Sequence, residues 1–217
     1  MKSKKKTKWV IGLTGGFCSG KTTVANIFKR QGIQIIDADK IYHRLIRPGR
    51  PLYKTLVSGF GRKIVKRDWR IDRKKLARVV FNDKKCLAKL SKITHPPVVK
   101  AIKKEVQKFK DSDRQIAIIN APLLIEANLV NIVDRLVVVN AERKTQIARC
   151  TKKLRLAPDE VKKRINAQMS TRKKVALADY IIDNNGTIAH TRRQAKAILR
   201  EFRNARKRGR KRWISRV

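Results

Sequence analysis

Four residues near the start of the chain have the types and the spacing that phosphate binding requires. Gly15, Gly20, Lys21 and Thr22 meet the pattern G-x-x-x-x-G-K-[ST]. The backbone N–H groups of such a loop turn inward around an anion, and its glycines allow the backbone angles and close approaches that this needs. The lysine reaches the β- and γ-phosphates of a nucleotide, and the hydroxyl after it coordinates Mg²⁺. A glycine-rich turn without a ligand is the alternative, and we favour the phosphate site.

The sequence on both sides of this loop predicts the elements that would hold it. Residues 9–16 form a short apolar run that predicts a buried strand, and residues 21–32 predict a helix closed by Gly32. A helix in this place presents its N-terminal amides and its dipole to bound phosphates. The motif therefore has the strand before it and the helix after it that a phosphate-binding loop needs.

A second apolar run, 33–39, predicts a strand with two carboxylates near its end, Asp37 and Asp39. The carboxyl ends of parallel strands converge on a shared ligand crevice, so a carboxylate here could hold a metal or accept a proton from an attacking hydroxyl. Either residue could instead cap the helix that follows. We expect at least one of them to be catalytic.

Three more apolar runs complete the predicted sheet, at 114–126, 134–141 and 179–184. Strands that are apolar on both faces and alternate with helical stretches are typical of a parallel sheet covered by helices. Residues 42–113 are too long for a simple crossover and predict an inserted helical subdomain, with continuous helical periodicity at 73–93. Residues 144–178 are also predicted to be helical.

The composition describes a globular chain with an unusual charge. Its 217 residues hold 57 Lys and Arg against 16 Asp and Glu, a formal net charge of +41. The segments 2–8 and 203–217 carry thirteen of these basic residues and no acid. Such a surface is expected to attract polyanions, including nucleotides, RNA and acidic lipid. The alternative is a general bias towards lysine and arginine on solvated faces, with a disordered, solvated basic tail.

Two features of the sequence bear on where the protein works. No apolar run approaches the roughly 18 residues that span a bilayer, and the first residues lack the long apolar core of a secretory signal. The three cysteines, Cys18, Cys86 and Cys150, are far apart, which predicts neither a disulfide framework nor a zinc site. We therefore expect a cytoplasmic protein without membrane insertion, as a monomer or weak oligomer.

Several blocks of the sequence resemble one kinase family. "IGLTGGFCSGKTTVANIF", "IIDADKIYHRLIRPG", "IDRKKLARVVF", "ITHPPVV", "APLLIE" and "INAQMSTRKKVALADYIIDNNG" occur in the order and spacing of dephospho-CoA kinases, over about residues 9–200. The resemblance implies transfer of the γ-phosphoryl group of ATP, with Mg²⁺, to the ribose 3′-hydroxyl of dephospho-CoA. The products would be coenzyme A and ADP, in the last step of coenzyme A biosynthesis.

The resemblance implies an α/β, three-layer P-loop NTPase fold with a parallel β-sheet core, a helical substrate-binding insertion and a helical lid. The subdomain predicted at 42–113 and the helices predicted at 144–178 fall where the insertion and the lid belong. The implied division is a P-loop core at 9–41, 114–143 and 179–200, a CoA-binding insertion at 42–113, a lid at 144–178, and basic tails at 1–8 and 201–217.

The resemblance also assigns roles to individual residues. Asp39 matches the catalytic acid, which as general base would accept the proton of the ribose hydroxyl, and it is a second candidate metal ligand beside Thr22. Lys21 would stabilise the transferring group, since phosphoryl transfer depends mostly on positioning and charge neutralisation. The ATP site would comprise Gly15, Cys18, Ser19, Gly20, Lys21, Thr22, Thr23, Arg149, Lys153, Asn184 and Gly186.

The residues assigned to the acceptor side each have a structural alternative. His95, in "ITHP", would line the acceptor pocket, or it is a helix-start histidine bound by the backbone. Pro122 and Glu126, in "PLLIE", would shape the same pocket, although Glu126 could be only a structural partner. The "DNNG" segment that contains Asn184 and Gly186 would approach adenine, and it also has the composition of an ordinary turn.

Three positions depart from the family's pattern. Cys18 replaces a loop glycine, which suits the fold unless this position needs a positive φ. Lys153 replaces a frequent lid arginine and cannot make its bidentate contact, and Arg149 and Arg155 are near enough in sequence to take its place. Asn120 stands where a strand-end acid would aid magnesium, which leaves the metal to the two ligands named above.

Two other functions are alternatives. A nucleoside or nucleotide kinase would share the fold, and it would be favoured if the insertion lacked an apolar pocket for the pantetheine arm. A polyanion-binding protein would use the basic surface for RNA, although the aromatic residues that stack on bases make up only 6% of the chain.

Overall fold

A parallel β-sheet organises the chain, as the apolar runs predict. The computed structural model describes residues 8–205, and the predictions made for the remaining tail residues lie outside that range. The strands are β1 (Trp9–Gly15), β2 (Gln34–Asp37), β3 (Ile116–Asn120), β4 (Arg135–Asn140) and β5 (Tyr180–Asp183). They pair in the order β2-β3-β1-β4-β5, and every pair is parallel. The predicted α/β class is confirmed.

Helices connect these strands throughout the described range. They are α1 (Lys21–Arg30), α2 (Ala38–Leu45), α3 (Pro51–Phe60), α4 (Arg73–Asn82), α5 (Lys84–Lys110), α6 (Arg143–Leu154), α7 (Pro158–Asn166), α8 (Thr171–Ala176) and α9 (Ile188–Ala205). Short 3-10 helices occur at Arg62–Ile64 and Leu129–Ile132. No helix within residues 8–205 is long and apolar enough to cross a membrane.

Both faces of the sheet are buried, which explains the continuous apolar runs. Trp9, Ile11 and Leu13 of β1 pack with residues of α1 and α9, whereas Val10 of the same strand packs with residues of α2 and α5. Side chains alternate between the two faces of a strand, so both sets of positions must be apolar when helices cover both faces.

The helical segment between β2 and β3 has an apolar cluster of its own. α5 runs from this cluster to the sheet: Leu90 packs against the cluster, and Ile102 packs against β3 and its neighbours. The buried members of the cluster are Ile46, Leu52, Leu56, Phe60, Ile64, Ile71, Leu76 and Val80.

Side-chain caps move several boundaries away from their predicted places. β2 ends at Asp37 because the Asp37 carboxylate accepts a hydrogen bond from the N–H of Lys40 (3.0 Å) and caps α2. The helix predicted at 73–93 is two helices, since the Asp83 carboxylate caps the start of α5 through the N–H of Lys85 (2.7 Å). The third strand ends at Asn120, and the apolar residues after it form turns that still pack on the sheet.

The order of the strands fixes where a ligand can bind. β1 lies at the centre, with β3 on one side and β4 on the other. The chain therefore leaves the carboxyl end of β1 where the connections diverge to the two sides of the sheet, and open α/β sheets bind ligands at this point. The loop predicted to bind phosphate begins at that end of β1.

Candidate active site

The phosphate-binding loop joins β1 directly to α1. Gly15 is the last residue of β1, and Gly20 is the N-cap of α1 with φ 92°. A Cβ atom on Gly20 would lie 1.9 Å from Nδ2 of Asn184, so both the backbone angle and the space require glycine here. The predicted strand, loop and helix are confirmed.

Asn184, the residue after β5, contacts the phosphate-binding loop. Its Nδ2 donates to the carbonyl oxygen of Ser19 (2.7 Å), and its Oδ1 accepts from the hydroxyl of Thr191 on α9 (2.7 Å). The side chain is buried, so the turn after β5 supports the loop as part of the protein interior. Gly186, two residues further on, is exposed.

Lys21 begins α1 and points into a buried polar chain. Its Nζ donates to Oδ1 of Asn120 (2.8 Å), and Nδ2 of Asn120 donates to Oδ2 of Asp37 (2.9 Å). Burial lowers the pKa of Lys21, and the negative charges of Asp39 and Asp37 oppose that change. Asn120 thus links the lysine to the end of β2, a role that its position at the carboxyl end of β3 alone did not reveal.

Asp37 and Asp39 have different environments, which separates the two roles that the sequence left open. Asp37 caps α2 and accepts from Asn120. Asp39 lies in the first turn of α2 with an exposed side chain. Surrounding protein atoms partly desolvate its carboxyl group and raise its pKa, while the charge of Lys21 acts in the opposite direction. Asp39 is therefore the carboxylate that is open to a substrate.

A histidine that the sequence did not single out shares the Asp39 side of α2. His43 lies four residues after Asp39, so the two side chains occupy the same face of the helix. Nη1 of Arg73, at the start of α4, lies 2.6 Å from Nε2 of His43. Partial burial and the charge of Arg73 lower the pKa of His43. An i, i+4 Asp–His pair on the predicted helix was the signal available in the sequence.

The residues predicted for the acceptor side come together around a buried lysine. Lys174 of α8 is fully buried, and its Nζ lies 2.9 Å from Oε1 of Glu126 and donates to the carbonyl oxygen of Pro122 (2.7 Å). The N–H of Met169 also donates to Oε1 of Glu126 (3.0 Å), and Oε2 of Glu126 is buried without a hydrogen-bond partner. Sequence reasoning missed Lys174 because lysines are numerous in this chain.

His95 also belongs to the Glu126 environment. It lies inside α5, immediately before Pro96 and Pro97, so the interpretation as a helix-start residue is wrong. Burial lowers the pKa of His95, and the negative charge of Glu126 acts against that. The helix continues through the two prolines, although neither can donate a backbone hydrogen bond within it.

The cations predicted for the lid differ in burial. Arg149 of α6 is half-buried and its Nη1 has no hydrogen-bond partner, whereas Lys153, one turn later, is exposed. Arg155 follows the helix in the left-handed conformation (φ 52°) and is also exposed. Arg149 therefore has a buried side-chain nitrogen that no protein group hydrogen-bonds.

The expectation that the cysteines would not form a disulfide is wrong. Cys18 of the phosphate loop and Cys150 of α6 form one, across 132 residues of sequence, with their Cα atoms 5.8 Å apart. Cys18 also has φ 56°, so this position does need a positive φ. Sequence spacing could not reveal the pair because the two residues meet only when α6 packs beside the loop.

A cavity lies beside the loop rather than on the predicted catalytic residues. Its volume is about 690 Å³, and its lining includes Asn140, Arg143, Gln146, Gln168, Thr171 and Arg172. It is open to solvent and is lined by the start of α6, the end of α7 and α8. Gly16 of the loop lies next to this cavity, because a Cβ atom on Gly16 would be 2.9 Å from the side chain of Thr171.

Comparison with known proteins identifies relatives of this chain. The family model described as dephospho-CoA kinase matches residues 9–190. The dephospho-CoA kinase of Carboxydothermus hydrogenoformans is 40% identical over 194 residues, which is 89% of this chain and 94% of that protein. The structure of TT1252 from Thermus thermophilus has a TM-score of 0.74 and 28% identity, and covers 90% of this chain and 98% of its own. The structure of dephospho-CoA kinase from Campylobacter jejuni has a TM-score of 0.66 and 25% identity, with the same coverage.

Sequence and structure thus lead to the same family. The matched region contains the phosphate loop, the carboxylates after β2 and the lysine of α8. The chain belongs to the dephospho-CoA kinase family.

Proposed function

We propose that this chain transfers the γ-phosphoryl group of ATP to the ribose 3′-hydroxyl of dephospho-CoA, releasing coenzyme A and ADP. The observation that carries the proposal is the link from Lys21, at the end of the loop, through Asn120 to Asp37 at the end of β2, where Asp39 lies in the first turn of the next helix. The ammonium group suits the phosphoryl donor and the carboxylate suits the hydroxyl acceptor. Membership of the family supports both substrates.

ATP would bind with its phosphates in the loop between β1 and α1. The N–H of Ser19 donates to the carbonyl oxygen of Gly16 (3.1 Å) and the N–H of Thr23 to that of Gly20 (2.9 Å). The amides of Lys21 and Thr22, at the start of α1, have no acceptor within the helix and would face the anion. We assign to this site Gly15, Cys18, Ser19, Gly20, Lys21, Thr22, Thr23, Asn184 and Gly186.

Mg²⁺ would join the phosphates to the protein through oxygen atoms. Among residues 8–205, no group of three or more His, Cys, Asp or Glu side chains gathers to hold a metal ion. Mg²⁺ usually takes one or two protein oxygens together with waters and substrate phosphates. The exposed hydroxyl of Thr22 fits this requirement, and the carboxylate of Asp39 is the second candidate. The ion would neutralise phosphate charge during transfer.

Asp39 would act as the general base. Its raised pKa makes the carboxylate a better proton acceptor than an ordinary aspartate. Asp37 is less suited, because its oxygens already accept from Lys40 and Asn120. The proton of the ribose hydroxyl would pass to Asp39 as the oxygen attacks the γ-phosphorus.

The remaining substrate contacts would come from two helical segments. We assign dephospho-CoA to the insertion at 42–113 together with His95, Pro122 and Glu126, because Lys174 contacts both Pro122 and Glu126 and the charge of Glu126 acts on His95. We assign the lid to 144–178. Of the cations Arg149 and Lys153, Arg149 is our candidate for the phosphates, because it precedes Cys150, whose disulfide joins this helix to the loop.

A coupled assay with competing acceptors tests the proposed function. Dephospho-CoA, adenosine and common nucleosides are offered together with ATP and Mg²⁺, and the phosphorylated products are separated and identified. We expect phosphate to appear on the 3′-hydroxyl of dephospho-CoA and the other acceptors to remain unchanged. Preferred phosphorylation of a nucleoside would contradict the proposal and support the related kinase class instead.

The basic surface supports a second, weaker activity, nonspecific attraction to RNA. Arg192, Arg193, Lys196 and Arg200 line a groove on the exposed side of α9. Cationic side chains neutralise phosphates and release counterions, so such binding should fall steeply with salt and be indifferent to sequence. We expect reversal of the four charges to glutamate to weaken binding of unrelated RNAs equally in a filter assay. Retained binding at high salt, or preference for one sequence, would contradict this interpretation.

We propose a cytoplasmic location and a monomeric or weakly oligomeric state for the chain. Both follow from the sequence predictions, and the second can be measured by analytical ultracentrifugation. The cytoplasm contains low-molecular-weight thiols, which can reduce a disulfide of a protein located there.

A further inference from the structure

The disulfide joins the two parts of the molecule that must act together on a nucleotide. Cys18 lies in the phosphate loop, and Cys150 lies on the helix that also carries Arg149. Cys150 is fully buried, whereas Cys18 is partly exposed. The third cysteine, Cys86, lies on α5 and is free.

The disulfide constrains an unfavourable backbone conformation in the loop. Cys18 has φ 56°, which is unfavourable for a residue with a Cβ atom. Residues held in such regions persist when the surrounding structure fixes them. A covalent bond to Cys150, on a helix packed beside the loop, provides that constraint.

The loop and α6 are in contact beyond the disulfide itself. A Cβ atom on Gly16 would lie 3.1 Å from the side-chain amide of Gln146, one turn before Cys150. Gln146 is buried and donates to the carbonyl oxygen of Ala141 (2.7 Å), the residue that follows β4. α6 is therefore coupled to the loop by side-chain packing as well as by the disulfide.

We propose that Cys18 and Cys150 form a thiol–disulfide exchange site that couples the redox state of the chain to nucleotide binding. The disulfide form holds the loop ready for phosphates and binds ATP more tightly than the dithiol form. The coupling rests on the proposed ATP site, whereas the exchange chemistry depends only on the two cysteines.

The reactant is a thiol, and the exchange is balanced in two steps. A thiolate attacks the more accessible Sγ of Cys18; the bond between the two cysteine sulfurs breaks, and Cys150 leaves as a thiolate. A second thiol then attacks the external sulfur of the mixed disulfide and releases Cys18. Two thiols are oxidised to one external disulfide, and their two protons reside on Cys18 and Cys150.

The change in ATP affinity depends on the fraction of molecules whose loop has the binding-competent conformation. In the dithiol form only packing holds the unfavourable backbone of Cys18, so a smaller fraction of molecules has the loop ready for phosphates. The apparent dissociation constant rises in proportion to that loss. We expect ATP to bind about five- to tenfold more weakly after reduction.

The experiment measures ATP affinity and thiol content on the same full-length samples. The air-oxidised protein and the protein treated with dithiothreitol are each titrated with ATP in a calorimeter, without acceptor, and free thiols are counted by alkylation and intact mass. We expect one free thiol and tight binding in the first sample, and three free thiols and weaker binding in the second. Reoxidation should restore the first state.

Three variants separate the bond from the backbone effect. Cys150→Ser should bind ATP as weakly as the reduced protein, with or without dithiothreitol. Cys18→Gly should bind ATP more tightly than Cys150→Ser and equally with and without dithiothreitol, because glycine adopts a positive φ without a constraint and has no bond to lose. Cys86→Ser, the matched control, should respond to dithiothreitol as the unchanged chain does.

Three results would overturn the proposal. Three free thiols in the oxidised sample would show that the bond does not form, and equal or tighter ATP binding after reduction would refute the coupling. Both outcomes leave the proposed kinase activity intact. If neither the oxidised nor the reduced protein bound ATP, the proposed function would be refuted, and the coupling with it.

Discussion

Replacement of Lys21 by alanine is expected to abolish phosphoryl transfer, with kcat/KM at least about 10³-fold lower. Preorganised charges at a phosphoryl-transfer site contribute effects of this size, and a loss of 10³-fold corresponds to roughly 4 kcal/mol of transition-state stabilisation. Lys21 begins the helix behind the loop and is only 9% exposed. Alanine leaves the loop glycines in place but removes the cation that we propose faces the phosphates.

The fold must be checked separately, because Lys21 also has a structural partner. Its loss leaves Oδ1 of Asn120 without its donor, and an unsatisfied buried acceptor costs about 1–3 kcal/mol of stability. Lys21→Met keeps the apolar stem and should be equally inactive while losing less packing. Turnover is measured on samples whose melting temperatures show that they are folded.

Lys29→Ala is the matched control for this prediction. Lys29 lies in the last turn of the same helix and is exposed, so its removal changes the net charge by the same amount without touching the loop. Its kcat/KM should stay within about twofold, since surface substitutions have small effects. Near-normal turnover of Lys21→Ala, or an equal loss in Lys29→Ala, would contradict the assigned role.

The part of the site that lies close together in sequence could be predicted from it. Gly20 and Lys21 belong to a strand–loop–helix unit whose chemistry is local, and the structure places them as the spacing requires. The apolar runs likewise predict a parallel sheet, because burial on both faces demands them. Strand order could not be derived from those runs, since it depends on which helices cover which face.

The remaining contacts of the site join residues that are far apart in sequence. The bond between Cys18 and Cys150 spans 132 residues, and Lys174 reaches Glu126 from another helix. Composition hides such pairs: one lysine among many, or two cysteines without a spacing rule, gives no signal until the helices are placed. The distinct roles of Asp37 and Asp39 were also hidden, because they depend on which residue ends the strand.

Replacement of Asp39 by asparagine is expected to lower kcat by about 10²- to 10⁴-fold, the usual contribution of a general base. The side chain keeps its size, and it is exposed at the start of α2, so the helix should not be disturbed. The affinity for ATP should change by about twofold or less, because the proposed contacts to the phosphates come mainly from the loop. An equal loss of kcat and of ATP affinity would indicate structural damage or a metal-binding role instead.

The pH dependence of kcat/KM distinguishes these roles of Asp39. Its folded-state pKa lies above the ordinary value of 3.8 because protein atoms desolvate the carboxyl group. The base works as the carboxylate, so activity should fall with decreasing pH as the group is protonated, at a pH above that ordinary value. This acid limb should disappear from the residual activity of Asp39→Asn.

Asp111→Asn is the matched control for this substitution. Asp111 is an exposed C-cap of α5, close to the amino end of β3 and therefore at the opposite edge of the sheet from the loop. This variant should keep both the rate and the acid limb of the unchanged chain. If Asp39→Asn also kept its acid limb, another group would be the base, and His43, which shares its helix face, would be the next residue to replace.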